Sequence, residues 1–263
     1  MIAFEQYNKG YNHTMPFEDE SIPGWEKLPR IYQRYLKGLS EGTAHMGTED
    51  VVRHVELLLF PNSTLSKVES LQEQLKSYEV NPISARNTKV KMGWKVLGKF
   101  VERHESVLRD SNVVLFICGS MFYDDPRNLD LDGSFVTEKV NRRFERIYQG
   151  TLSNEFEDSF RSEVGGAGSD VQYVSFSTLA SYCQKIQDGD EEFVFENREL
   201  IESEFAIASE ILTGYPIYGS PKTVEQMREK VRLLMGKNPL LATEICMTLE
   251  ETLKIREERR GLS

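Results

Sequence analysis

The residues of this chain best suited to chemistry form two short groups, close together in sequence. An apolar run, Val113-Val114-Leu115-Phe116-Ile117-Cys118, ends in Gly119-Ser120, and after a nine-residue gap comes Asp130-Leu131-Asp132. On an extended segment Asp130 and Asp132 stand two apart and share one face, with Leu131 on the other. Two carboxylates aimed at one point repel each other unless a cation sits between them. Oxygen ligands of this hardness suit Mg²⁺, whose remaining positions are filled by water and nucleotide phosphates. Gly119 has no side chain to obstruct a ligand that approaches the backbone. A helix opening just after Ser120 would aim free N–H groups and a hydroxyl at a phosphate. The plainer reading is that Asp and Gly are also the residues of turns.

Such a site needs strands to hold it. The run 113–118 is short, continuous and rich in strand formers, which predicts a strand buried on both faces. A second strand is expected over about 129–135, and a third over Val171-Gln172-Tyr173-Val174-Ser175-Phe176, which alternates. Glu192-Phe193-Val194-Phe195 offers an edge strand. Around these the spacing is helical. Residues 25–110 read as a mostly helical module, with stripes such as Leu65, Val68, Leu71 and Leu75, and Val90, Trp94, Leu97, Val101 and Leu108. Val136, Val140, Phe144, Ile147 and Tyr148 return to helical spacing. A long helix over about 197–213 ends at Gly214. Asn238, as an N-cap with Pro239 at the first helical position, opens another to about Arg260. The expected fold class is α+β, a small mixed sheet flanked by N-terminal and C-terminal helical regions. The expected segmentation is 1–110, 111–219 and 220–263.

In this order and spacing the chain resembles the DNA polymerase beta-like nucleotidyltransferase superfamily. That family's mark is a hydrophobic strand, Gly-Gly or Gly-Ser, a gap of about nine to thirteen residues, then Asp-hydrophobic-Asp/Glu. A third carboxylate follows on a later strand, and the resemblance assigns it to Asp170, thirty-eight residues past Asp132. Gly214-Tyr-Pro-Ile-Tyr-Gly219 is similar to the turn that often closes the family's core. The resemblance covers about 110 of 263 residues. It departs from the usual pattern at three places. Met121-Phe122-Tyr123-Asp124 stands where many members carry a small residue, Arg and Gly; Leu129 stands where Ser or Thr is common; and Gly133 stands where a hydrophobic residue is expected. These bear on substrate subclass more than on the metal site.

The resemblance implies a Mg²⁺-dependent nucleotidyltransferase with two ions, moving an NMP from a nucleoside triphosphate to a hydroxyl acceptor and releasing pyrophosphate. Asp130, Asp132 and Asp170 would be both catalytic and metal-ligating. Gly119 and Ser120 would contact the nucleotide, and Arg127 and Lys139, with Arg142 and Arg143, are candidate partners of its triphosphate. The bland alternative for these four is a solvated surface. Two other function classes fit the same residues: a non-catalytic nucleotide-binding or regulatory protein, and an antitoxin-type interaction protein using its helical flanks.

Composition narrows the classes. Formal net charge is −10 over 263 residues, which argues against a general nucleic-acid coat and favours a small molecule or a protein over a long nucleic acid as acceptor. The three cysteines, Cys118, Cys183 and Cys246, form no C-x-x-C pair and predict neither a disulfide framework nor a zinc knuckle. Cys118, inside the apolar run, reads as core rather than nucleophile. His13, His45, His54 and His104 show no metal-ligand spacing. There is no G-x-x-x-x-G-K-[ST] loop and no G-x-S-x-G elbow. No leader or membrane span is expected, and the expected location is cytoplasmic.

Overall fold

The computed structural model describes residues 22–42, 46–78, 88–119, 130–165 and 168–260. Four helices come first: α1 (Arg30–Gly42), α2 (Thr48–Leu59), α3 (Pro61–Lys76) and the long α4 (Thr88–Asp110). Strand β1 (Val114–Cys118) follows, then β2 (Asp130–Thr137). From Arg142 to Gly165 the chain is helical throughout, with α5 (Arg142–Ile147) and α6 (Ser153–Phe160) joined and extended by π turns. Strand β3 (Gly168–Ser175) then leads into α7 (Phe176–Gln187), α8 (Glu191–Glu196) and α9 (Arg198–Thr213). Strand β4 (Tyr215–Tyr218) and the helices α10 (Pro221–Lys237) and α11 (Pro239–Arg260) complete it. The protein is thus α+β, mostly helical, with one small mixed sheet.

The sheet runs β3-β2-β1-β4, with β2 antiparallel to β1, β4 antiparallel to β1, and β3 parallel to β2. Alternation sorts its side chains onto two covered faces. Val114, Phe116, Val136 and Val174 pack into one cluster with α1–α3, α7 and α9–α11. Leu115, Ile117, Leu131, Phe135 and Val171 pack into another with α4, α5 and α6. Both faces are dry, so β1 has to be apolar at every position. Fully burying one such side chain contributes about 1.5–3 kcal/mol.

Polar side chains set the element boundaries. At the end of α4 the amide of Val113 reaches the Leu108 carbonyl at 3.1 Å and that of Asn112 reaches Arg109 at 3.0 Å, with Asn112 left-handed at φ 50°. This Schellman closure turns the chain directly into β1. Asn238 opens α11 as the spacing predicts, its Oδ1 accepting from the Leu241 amide at 3.0 Å. Three expectations change. Residues 192–195 lie in the short helix α8 rather than an edge strand. Asp190 caps it by accepting from the Phe193 amide at 3.2 Å, with Glu191 and Glu192 in its first turn. Val136 belongs to β2, not to a helix: it pairs with Val114 and is fully buried, so packing overrides the helical spacing. The Tyr215–Tyr218 stretch, expected as a turn, pairs with β1 as an edge strand, where Pro216 is tolerated. No helix among the described residues is long and apolar enough to cross a membrane.

The helical cluster encloses a polar centre. His54 of α2 has Nδ1 2.8 Å from the Asp50 carbonyl and Nε2 3.2 Å from Glu244 Oε1 of α11. Tyr35 of α1, fully buried, donates to the same Oε1 at 3.1 Å. Because the Asp50 carbonyl only accepts, Nδ1 carries a proton, and the Nε2–Oε1 contact then requires a second proton between His54 and Glu244. Burial alone would push His54 down, but the charge and hydrogen bond of Glu244, with the Asp50 backbone and carboxylate, raise it above its usual value. On α9, Glu202 is pushed up to about 7 by burial and by the charge of Glu244, and Glu204 to about 7 by burial. Glu204 Oε2 is buried and meets no hydrogen-bond donor.

Candidate functional site

Gly119 and the carboxylate positions meet at one end of the sheet. In the strand register Cys118 is the Cα partner of Asp132, and Asp132 is the partner of Asp170. These three positions form one lateral row, each strand about 4.8 Å from the next, and Gly119 follows Cys118 directly. Asp130 lies one same-face step from Asp132, partnered with Gly168. Gly119 has φ 106°, a conformation that side chains beyond glycine rarely adopt, so its place at the strand end is conformationally dictated. Asp130 and Asp170 are described through their backbone, and Ser120 and Arg127 lie outside the described residues.

Cys118 and Asp132 share the face that carries Phe116 and Val136, the face covered by α9. A residue that sequence reasoning missed enters there: Glu210, on α9, accepts a hydrogen bond at Oε2 from the hydroxyl of Ser134, itself fully buried two residues beyond Asp132. The signal lay in the helix, a single carboxylate amid buried Ile207, Ala208, Ile211 and Leu212. Its direction toward the sheet required the fold. Burial raises the Cys118 thiol well above its usual value, the charges of Glu210 and Asp132 raise it further, and Arg256 and Arg228 only partly oppose them. These charges and the burial favour the neutral thiol at Cys118 over the thiolate. Arg228 of α10 closes the end of α9, with Nε 3.2 Å from the Ile211 carbonyl and Nη2 2.8 Å from that of Gly214. Its guanidinium lies 5.8 Å from the Phe116 ring centre. Arg256, only 9% exposed, reaches the Leu75 carbonyl at 3.4 Å. Glu210, Arg228 and Arg256 thus bring charge of both signs to the covered face of the sheet near Cys118.

Lys139 is not brought to this place. It follows the far end of β2, where its carbonyl accepts from Thr137 Oγ1 at 2.8 Å. Five extended residues, roughly 17 Å, separate Thr137 from Asp132. A lysine there cannot contact a phosphate held at Gly119, and Arg142 and Arg143, at the start of α5, belong to the same distant end. Strand β2 runs on through Val136 to Thr137, and this length is what carries Lys139 away from the carboxylate positions.

A hard divalent cation takes carboxylate oxygens. Asp132 carries one such group, and the neighbouring positions in its row and on its strand are Asp170 and Asp130. Among the described residues no group of three or more His, Cys, Asp or Glu side chains could hold a metal ion, and Asp132 is the one member of the aspartate set whose side chain is among them.

Gly133, a departure from the family pattern, has a packing reason. A Cβ there would stand 2.9 Å from Val171 Cγ1 and 3.0 Å from Ile117 Cδ1. The missing side chain lets β1 and β3 side chains meet across β2, directly under Asp132. Gly133→Val should cost about 1–3 kcal/mol by overpacking, and should lower the denaturant midpoint without changing the slope. An unchanged midpoint would show that the sheet can open at this point.

Comparison of this chain with protein-family models, with curated proteins and with solved structures finds no match.

Proposed function

We propose that this protein is a Mg²⁺-dependent nucleotidyltransferase that moves a nucleoside monophosphate from an NTP to a hydroxyl acceptor. The observation that carries the reading is the register that sets Asp132 between Cys118 and Asp170, one residue from the positive-φ Gly119. Asp130, Asp132 and Asp170 would hold the metal ions, which when bound supply charge neutralisation on the triphosphate and a lowered acceptor pKa. The acceptor oxygen attacks the α-phosphorus, the bond to the bridging oxygen of pyrophosphate breaks, and the hydroxyl proton leaves to solvent or a carboxylate. What the chain itself contributes is position and electrostatics. The bare Gly119 backbone would admit the nucleotide closely, and the paired strands would set the backbone positions from which the carboxylates extend.

The test is a thermal-shift series with each NTP, with and without Mg²⁺, followed by incubation with labelled NTPs and cell extract to find the labelled acceptor. Metal-dependent stabilisation with transfer supports the reading. Metal-dependent binding without transfer to any acceptor would replace it with a regulatory nucleotide binder. No stabilisation at millimolar MgNTP would end it. Asp170 offers a sharper division, since its role is assigned mainly to the attacking hydroxyl. Asp170→Asn should leave nucleotide affinity within a few-fold of wild type and cut transfer by ~10² or more. Equal transfer by the variant would make Asp170 a loop residue.

A further inference from the structure

The net charge of −10 conceals a local reversal. The first half of α4 carries Lys89, Lys91, Lys95 and Lys99, and no acidic residue appears between Thr88 and Val101. Lys91 and Lys95 stand one turn apart on its exposed face and make no ion pair among the described residues. Lys99, a further turn along, meets Glu163 at 3.3 Å, with both side chains about half exposed. A pair so solvated is worth little and yields readily to a stronger anion.

An aromatic pair adjoins this stripe. Trp94 meets Tyr215 at 5.2 Å between ring centres and 80° between planes, and Tyr215 remains 40% exposed. Tyr215 begins β4 as the partner of Ile117, which places it at the end of the sheet that holds Gly119 and Asp132. Gly98, one turn from Trp94 on α4, has nothing within 4 Å of where a Cβ would stand. A glycine inside a helix is unfavourable relative to alanine, and here no packing contact requires it. It leaves bare backbone beside the indole.

We propose that the first half of α4, together with Tyr215, is a docking surface for single-stranded nucleic acid, with its strand end directed to the Asp132 row. Lysines meet the phosphates, and the exposed aromatic ring receives a base. The combination separates nucleic acid from an acidic polypeptide, which would use the charges but not the ring. The surface is argued independently of the metal site; only its role as acceptor rests on the nucleotidyltransferase reading.

The probe is a fluorescein-labelled single-stranded oligoadenylate of about a dozen nucleotides, within the span one such surface covers. Anisotropy is measured on the full chain without Mg²⁺ or NTP, so that the result is independent of the metal site. Wild type should bind with an affinity that falls steeply with salt. Lys91→Ala/Lys95→Ala should lessen the slope of log K against log salt by about 1.4, as expected for two phosphate contacts on a single strand. The charge reversal Lys91→Glu/Lys95→Glu, on an exposed face that folding does not need, should weaken binding at least tenfold. Tyr215→Ala should weaken it by roughly fivefold or more, and Tyr215→Phe should restore it. The proposal is overturned if wild type does not bind at low salt, or if the charge-reversed variant binds equally. It is also overturned if polyglutamate competes as well as RNA while Tyr215→Ala has no effect, which would make the surface one for acidic polypeptides. RNA binding without any MgNTP-dependent stabilisation would leave this surface standing and end the metal-site reading alone.

Discussion

Asp132→Asn should abolish Mg²⁺-dependent stabilisation by NTPs and reduce nucleotidyl transfer on the order of 10³-fold. Asp132 occupies the centre of the row, between the Cys118 and Asp170 positions, so its carboxylate is the one a shared cation depends on most. Its loss should not unfold the protein. Asp132 is a half-buried residue near the end of the sheet, so Asp132→Asn changes a charge and keeps the side-chain volume. The metal-free variant is therefore expected to keep its fold and its cooperative melting transition. The measurement is a pair of melting curves, with and without MgNTP, beside a transfer assay. If the variant keeps both the wild-type MgNTP shift and wild-type transfer, the row is not a metal site.

The second large effect is on stability and runs against the common pattern of carboxylates that favour neutral pH. Glu202 and Glu204 are held at about 7 in the folded protein, well above a carboxyl's ordinary value. Between roughly pH 4.5 and 7 the folded state therefore binds more protons than the unfolded chain, and stability declines as pH rises through that window. His54 acts in the same direction. Its folded value is raised, so its contribution is full below about 6.5 and is lost as pH climbs through the folded value. Glu138, Asp190 and Glu225, lowered by hydrogen bonds to Lys230, Lys185 and Arg232 respectively, act oppositely, but only in more acidic solution. Melting at pH 5.5 should exceed melting at pH 8.5 by roughly 5–10 °C, corresponding to about 2–4 kcal/mol. Glu204→Gln gives the control. With the buried charge removed, it should gain about 1–2 kcal/mol at pH 8.5 and little at pH 5.5. A melting temperature that rises from pH 5.5 to 8.5 would falsify the assignment of buried, protonated carboxyls to α9.

How much of this was legible in the chain depends on how local the cause is. The apolar run into β1, the Gly119 break and the placement of Asp130 and Asp132 on a second strand are local signals, and each is where the residues put it. The Asn238-Pro239 start of α11 is of the same kind. The failures come from contacts made at a distance. Val136 reads as helix until Val114 pairs with it, and Tyr215–Tyr218 reads as a turn until β1 offers an edge. Lys139 lies at the far end of β2 because the strand extends through Val136 to Thr137. Glu210 was invisible for a different reason: a carboxylate flanked by buried Ile207, Ala208, Ile211 and Leu212 acquires direction only when α9 is laid across Ser134. Residues 192–195 are the exception, because the Asp190 cap and the acidic first turn were there to be read.

The hydrogen bond from Arg256 to the Leu75 carbonyl joins residues 181 positions apart, and α3 packs beside α11 in the same cluster as α1 and α2. Helices α1–α3 therefore bury their apolar faces against a helix that is synthesised much later than they are. At ordinary synthesis rates, α3 waits roughly 10–35 s for α11 to be made. During that interval Leu36, Val55, Val68 and Leu75 lack their native cover, while the α4–α6 side of the sheet, built from residues 88–171, can already condense. A nascent chain that stalls before Pro239 therefore leaves the apolar faces of α1–α3 without the cover that α11 supplies.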